Sequence, residues 1–566
     1  MFSSLSSAAE KHLQTEGAVD GVVIEWSPPQ NADHGDISTS IALQLAKKVN
    51  KSPREIADAL AAALHSHEDV EKAEVAGAGY VNIWLKPSAF LAEVAGVEKA
   101  IEPKKANKKD APVVVDYSQP NIAKPLGIHH ILSTVIGQTL VNMYRHDGTP
   151  VVAWNYIGDW GTQFGKLAVA FERWGKKKAN ECSIDEMLDL YVKFHQEAEK
   201  DESLEDAGRE AFRKLEAGDA ELRAFWKDVV DVTKASLGGI YERLNVSFDV
   251  DTGESYYEDK MMPVVEEGKK SGVFKTGEKG ALIAEFPEAD NMPPAIVVKG
   301  DGATIYLTRD LAMMRDRIER FHPKEVLFVV DVAQSLHFKQ LFAVVAQLGW
   351  ELPALEHVSM GRMRFADKSM STRKGNILKL EHVLEEAVER AHAVIEERGE
   401  SIQTDNPQEL AEMMGVGALV YGILSQNRKM DMVFDWDKML SFEGNSAPYL
   451  QYTYARAKSV LRKGEVEGKD VKVGEVDTLT PHERRLFTHL LQFSTVLDEA
   501  RTEKLPHKLA NYLYQLAQHY NAFYNVDTIL DANEPQRGLR LRLTSLTAAV
   551  LKAGATLLTL RVPERM

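Results

Sequence analysis

Lys124, His129 and His130 are the residues through which this chain could hold a phosphate. They lie in APVVVDYSQPNIAKPLGIHHILSTVIGQTLVNMYRHDG, residues 111–148. The run Pro112 to Val115 is short and rich in β-branched residues, as a buried strand is. The chain breaks at Ser118-Gln119-Pro120-Asn121 and becomes amphipathic from about Ile128. Pro125 biases Lys124 to an extended backbone and suits a first helical turn, which puts the lysine and both histidines near a helix N-terminus. Free N–H groups and the helix dipole favour an anion there. A half-buried strand–helix unit with two surface histidines reads the same way, so a second stretch must decide.

That stretch is FADKSMSTRKGNILKLEHVL, residues 365–384, whose Arg373 and Lys374 stand in a polar loop. Together the two resemble the HIGH-type and KMSKS-type signatures of class I aminoacyl-tRNA synthetases. Their surroundings resemble the arginyl-tRNA synthetase family: SQPNIAKP at 118–125, NYIGDWGTQFG at 155–165, DGATIYLTRDLA at 301–312, MSTRKGN at 370–376, APYLQYTYAR at 447–456 and the terminal PERM. The resemblance implies ATP-dependent activation of L-arginine to arginyl-adenylate and transfer to tRNA-Arg, with Mg²⁺ accompanying ATP. Little acid–base chemistry is needed, and positioning with charge neutralisation at phosphorus carries the rate.

The resemblance distributes roles residue by residue. Lys124, His130, Arg373 and Lys374 are the expected catalytic set, and Gly127, His129, His130, Met370 and Ser371 the expected ATP contacts. Asn121 and Gln334 match positions that hold the amino acid. A guanidinium is planar and always charged, so carboxylates should read it. Asp116, at the ligand edge of the first strand, and Asp310, four residues after Tyr306, are the candidates. Two departures stand out. Residue 372 is Thr where KMSKS has its second lysine, which Lys124 offsets, and the HIGH motif reads Gly127-Ile128-His129-His130. An active ligase and a catalytically impaired tRNA-binding paralogue both remain open, with Lys124, Asp310, Arg373 and Lys374 together favouring the enzyme.

These residues need a scaffold. At 566 residues the chain exceeds one core, and roughly 150 residues per domain suggests three or four. Residues 1–102 read as a small α+β domain, with strands at Val22 to Trp26 and Tyr80 to Leu85 and a helix through Ile41 to Val49. By resemblance this domain contacts tRNA through DHGD and AGAGYVN. The basic segment Pro103 to Lys109 is a linker. Residues 111–404 alternate strand and helix, which implies a Rossmann-like parallel α/β domain. An insertion occupies about 170–290, and the sheet is expected to resume at Ala295 to Lys299, Thr304 to Leu307 and Val326 to Val330. DVDTGESYYEDK at 249–260 fails as a calcium loop, because its glycine is one place early and the last-place Glu is missing. Residues 405–566 read as an all-α helical bundle. By resemblance it grips the anticodon loop through Tyr449, Tyr452, Arg456 and Met566, although such rings are usually core.

Composition excludes other classes. With 44% hydrophobic and 27% charged residues the chain is neither disordered nor fibrous. No apolar run reaches the roughly 20 residues of a membrane helix. The start MFSSLSSAAEKHLQTEG lacks a signal or transit pattern, so a cytoplasmic protein is expected, and a monomer. A single cysteine, Cys182, rules out an internal disulfide and a multi-cysteine zinc site, so no structural metal is expected. Net charge of −16 opposes non-specific RNA binding, so an RNA partner needs local basic patches.

Overall fold

The computed structural model describes residues 2–15, 17, 22–29, 31–365, 378–399, 402–466, 471 and 473–566. Met370, Ser371, Arg373 and Lys374 lie outside them.

The N-terminal domain is an antiparallel sheet backed by helices. Its strands are β1 (Ile37–Thr39), β2 (Val70–Ala76) and β3 (Tyr80–Leu85), ordered β1-β3-β2. Helix Pro53–His65 begins with proline behind a Ser52–Glu55 capping box, which satisfies its free N–H groups reciprocally. The strand expected at Val22 to Trp26 does not form. Val23 is exposed, and only Ser27 pairs, with Ser38.

The central sheet is wholly parallel. It contains β4 (Val113–Asp116) and β5 (Val151–Trp154). After a separate antiparallel sheet of β6 (Phe274–Thr276), β7 (Leu282–Ala284) and β8 (Ala295–Val298) come β9 (Glu325–Phe328) and β10 (Ala354–His357). The parallel order is β10-β9-β4-β5. Val113 and Val115 face the core around helix His130–His146, while Val114 faces the core of helices Tyr306–Phe321 and Ser335–Gln347. Burial on both faces explains why β4 is an unbroken apolar run. Helix Thr162–Trp174 leads into the insertion, which supplies helices Ile184–Ala198, Ser203–Glu216 and Ala220–Arg243.

Two expected parallel strands are corrected here. Ala295–Val298 pairs antiparallel with β7, and Thr304 to Leu307 is not a strand. Asp301 accepts from Ala303 N, folding Thr304 back onto Val298, and Tyr306 then opens a helix. A short apolar run reads identically in either sheet.

The last part of the chain is helical, with Pro407–Leu424, Ala447–Lys463, Pro481–Leu491, Pro506–Val526 and Gln536–Leu557 as its main helices. One strand lies beyond the boundary expected near 404. In this pair β11 (Met363–Phe365) runs parallel with β12 (Met432–Phe434). The bundle docks on the N-terminal domain through Arg484, which donates to the buried Asp36 at 2.9 Å and to Leu85 O at 2.8 Å. No helix among the described residues is long and apolar enough to cross a membrane.

Candidate active site

The chain leaves β4 for a helix on one face and β9 for a helix on the other, so a crevice opens at the carboxyl ends of these adjacent strands. Side chains of helix His130–His146 hold it. Ser133 Oγ accepts from Ser118 N at 2.9 Å and donates to Val329 O at 2.6 Å, joining both strand ends. Ser118, Gln119 and Ala123 have φ of 74°, 54° and 60°, a region costly for residues with a Cβ. The turn they form carries Asn121, which is exposed and pairs with Gly158. A Cβ on Gly158 would lie 2.5 Å from Asn121 Oδ1, so any larger residue there would displace the Asn121 amide from its present position.

The two signature stretches meet backbone to backbone. Ile128 N donates to Leu378 O at 2.9 Å, Leu380 N donates to Leu126 O at 2.8 Å, and Gly127 bridges Lys379. Residues 378–380, which follow the second signature, are thus sewn to the segment ahead of the helix. His129 is exposed and stands at the helix's N-cap position without a side-chain capping hydrogen bond, its ring 4.0 Å from that of His130. His130 Nδ1 lies 3.1 Å from Gly127 N and 3.2 Å from Gly127 O, so the Gly127 backbone holds the ring in either tautomer. Burial first, and the neighbouring His129 second, push His130 down to about 4, so it is a neutral donor at pH 7. Lys124 is half-buried with Nζ 5.3 Å over the Tyr191 ring. It lines a cavity of about 210 Å³ with Asp185 and Lys379, which pair at 2.6 Å.

At the other end of the crevice, Asp310 Oδ2 lies 2.7 Å from His337 Nε2. Tyr306, one turn earlier on the same face, is 72% exposed, and Gln334 is exposed on the turn after β9. Asp116 does not fit the acceptor role expected of it. It is fully buried, with Oδ2 2.6 Å from Arg317 Nη2 and Oδ1 accepting from Gln119 at 2.8 Å. Burial raises its carboxyl, and Arg317 opposes that. Arg317 is itself enclosed by Trp154, Tyr156 and Phe328. An internal arginine has taken the carboxylate, which now fixes the strand end and the 118–123 turn.

A second concave surface lies in the bundle. Tyr452, Arg456 and Met566 line one cavity of about 410 Å³, with Tyr524, Lys463 and Arg565. Arg456 Cζ sits 4.8 Å from the Tyr452 ring and 4.9 Å from that of Tyr524. Tyr449 is set apart. Its hydroxyl accepts from Asn521 at 3.0 Å and its ring packs on Tyr514.

Three family descriptions cover almost the whole chain: "Arginyl tRNA synthetase N terminal domain" over residues 3–85, "tRNA synthetases class I (R), catalytic domain" over 93–436, and "DALR anticodon binding domain" over 450–566. The chain belongs to the arginyl-tRNA synthetase family. It is 40% identical to the arginine–tRNA ligase of Fusobacterium nucleatum over 96% of this chain and 95% of that one. The enzyme of Clostridium perfringens is also 40% identical, over 95% of both. The solved Thermus thermophilus arginyl-tRNA synthetase superposes with a TM-score of 0.81 at 26% identity, covering 100% of this chain and 99% of that one. The Plasmodium falciparum structure, at 23% identity and a TM-score of 0.81 over 100% and 98%, shares the fold.

Within this family member, sequence reasoning passed over His337, Arg317, Tyr156 and Glu254. Glu254 opens a turn of the insertion, 3.4 Å from Arg309. His337 follows Gln334 by three residues, a helical spacing that would have paired them. Nothing local marks Arg317, because its partner is 201 residues away.

Proposed function

We propose that this chain ligates arginine to tRNA-Arg at the expense of ATP, as its relatives are named for doing, and that its altered GIHH segment remains competent. The observation that carries this reading is the backbone pairing of Gly127 to Lys379, which joins the two signature stretches of a chain that three family descriptions match over residues 3–85, 93–436 and 450–566. ATP enters as its Mg²⁺ complex, the ion belonging to the substrate. His130 presents its ring on the nucleotide side, and Lys124 leaves the Tyr191 ring to meet the phosphates, joined by Arg373 and Lys374. Gly127 and His129, with Met370 and Ser371, bound the nucleotide. The arginine carboxylate then displaces pyrophosphate at the α-phosphorus, and a ribose hydroxyl of the tRNA end displaces AMP.

Asn121 and Gln334 hold the amino acid, Asp310 with Tyr306 takes the guanidinium, and Asp116 positions the turn through Gln119. A planar, always charged group in a half-buried carboxylate site is held by charge-assisted hydrogen bonds that a neutral side chain cannot make. Tyr452, Arg456 and Met566 receive unstacked anticodon bases, with Tyr449 supporting them from behind.

Charging assays with each standard amino acid and total tRNA test the proposal. Acid-precipitable arginine, and no other residue, is the expected product. A chain that binds tRNA-Arg but charges nothing would instead be the impaired paralogue.

A further inference from the structure

We infer that Thr233 and Tyr241, on one face of helix Ala220–Arg243 of the insertion, are positioning residues that clamp the two ends of the 118–123 turn and so hold Asn121 where the amino acid binds. This rests on the reading that Asn121 holds the amino acid.

The turn cannot keep its shape unaided. Ser118, Gln119 and Ala123 have positive φ without being glycine, a conformation that persists only where surrounding contacts over-determine it. The domain of the parallel sheet supplies some of those contacts, with Ser118 N donating to Ser133 Oγ at 2.9 Å and Ile122 N to Gly158 O at 3.1 Å. The insertion supplies one at each end. At the far end Ala123 N donates to Thr233 Oγ1 at 3.2 Å, while the Thr233 hydroxyl donates its own proton to Val229 O at 2.8 Å, which turns its lone pairs to Ala123. At the near end Ser118 Oγ lies 2.8 Å from the Tyr241 hydroxyl.

Asn155 extends the near contact to the next residue. Its Oδ1 accepts from Gln119 N at 3.2 Å, which leaves its amide nitrogen to donate to the Tyr241 hydroxyl, also at 3.2 Å. The two consecutive strained residues are thus tied to Tyr241, one directly and one through Asn155.

The clamp has a fixed span and is itself held from outside the turn. Thr233 and Tyr241 stand eight residues apart on one buried stripe of the helix, 1% and 8% exposed, about 12 Å apart along its axis. Past Tyr241, Arg243 meets Glu412 at 2.8 and 3.2 Å, and the Tyr241 ring packs edge-on against Phe248, whose ring lies 4.7 Å from that of Tyr117. Ahead of Thr233, Trp226 Nε1 donates to Asp159 O at 2.7 Å. A helix pinned on both sides of the clamp can resist the strain of the turn, which a mobile partner could not.

The test is tRNA charging by the full chain with T233V, Y241F, the double variant, T233S and N121A. T233V and Y241F should each raise the arginine KM about tenfold with the ATP KM held within about threefold, and T233S, which keeps the hydroxyl, should stay near the parent. Because both hydroxyls hold one turn, the double variant should raise the arginine KM about twentyfold rather than about a hundredfold, although side chains that far apart ordinarily act independently. Losing a buried hydroxyl lowers the melting temperature whatever its role, so the KM split and the coupling decide. A parental arginine KM in either single variant, an equal rise in the KM of both substrates, a loss confined to kcat and melting temperature, or a double variant that multiplies the singles overturns the inference. N121A separates the readings. An N121A enzyme with parental arginine KM removes the role of the turn and this inference together, whereas a large N121A effect beside null T233V and Y241F removes only the latter.

Discussion

At Asp310 the carboxylate meets His337 at 2.7 Å and is 18% exposed, whereas at Asp116 it is closed inside the protein on Arg317. The two carboxylates were equivalent as sequence because each ends or follows a strand pattern. What separates them is a partner distant in sequence, which no local pattern records. Removing the charge at Asp310 should cost about 3 to 5 kcal/mol of arginine binding. D310N is therefore expected to raise the arginine KM by a factor of hundreds with ATP KM nearly unchanged, as charging kinetics would report. D116N leaves Arg317 buried and unpaired, so its chief effect should be a lower melting temperature. His130 gives a pH prediction. Its folded value near 4 keeps it neutral from about pH 6 to about pH 8, so the ATP KM should show no inflection from His130 in that range, as a comparison with H130A would report.

Among elements, the helices of the bundle were legible as a class from their amphipathic periodicity, while their ends carry chemical marks that place them. Prolines open Pro53–His65, Pro407–Leu424, Pro481–Leu491 and Pro506–Val526, and Ser or Thr caps precede two of them. The strands Ala295–Val298 and Met432–Phe434 were misplaced or missed since three or four apolar residues do not say which sheet receives them. Helix Ala447–Lys463 shows how far periodicity reaches. Tyr449 and Tyr452 share a face, but one is bonded to Asn521 and the other opens on the cavity with Arg456. Stacking of one base contributes about 1–3 kcal/mol, so Y452A should weaken tRNA charging by roughly ten- to a hundredfold at an unchanged melting temperature. Y449A should chiefly lower the melting temperature, and an early-melting Y452A with normal charging per folded molecule would make Tyr452 core. The Gly127 and His129 exchange belongs to the same scale. G127H alone should crowd the buried segment paired with Lys379 and lose activity, while G127H with H129G should recover it, a coupling a double-mutant cycle reads directly.

Over the whole molecule, three family domains are joined by ion pairs that cross between them, including Arg484 to Asp36 and Lys504 to Glu325. Their order along the chain was readable from composition and the basic linker. Their docking was not, because it depends on Arg484 reaching a carboxylate 448 residues away. With a net charge of −16, the chain must attract RNA through local cations such as those around the Tyr452 cavity. R456A should therefore weaken tRNA binding and lower the slope of log affinity against log salt by about 0.7. The central claim is that this family member, with GIHH in place of the usual motif, still forms arginyl-adenylate. ATP–pyrophosphate exchange by the purified chain, run with and without arginine and with tRNA-Arg present, measures that step. Exchange that appears only with arginine, and that falls at least about tenfold in Lys124→Ala, is the predicted result. Exchange absent under all conditions from a chain that is folded and binds tRNA-Arg would contradict it.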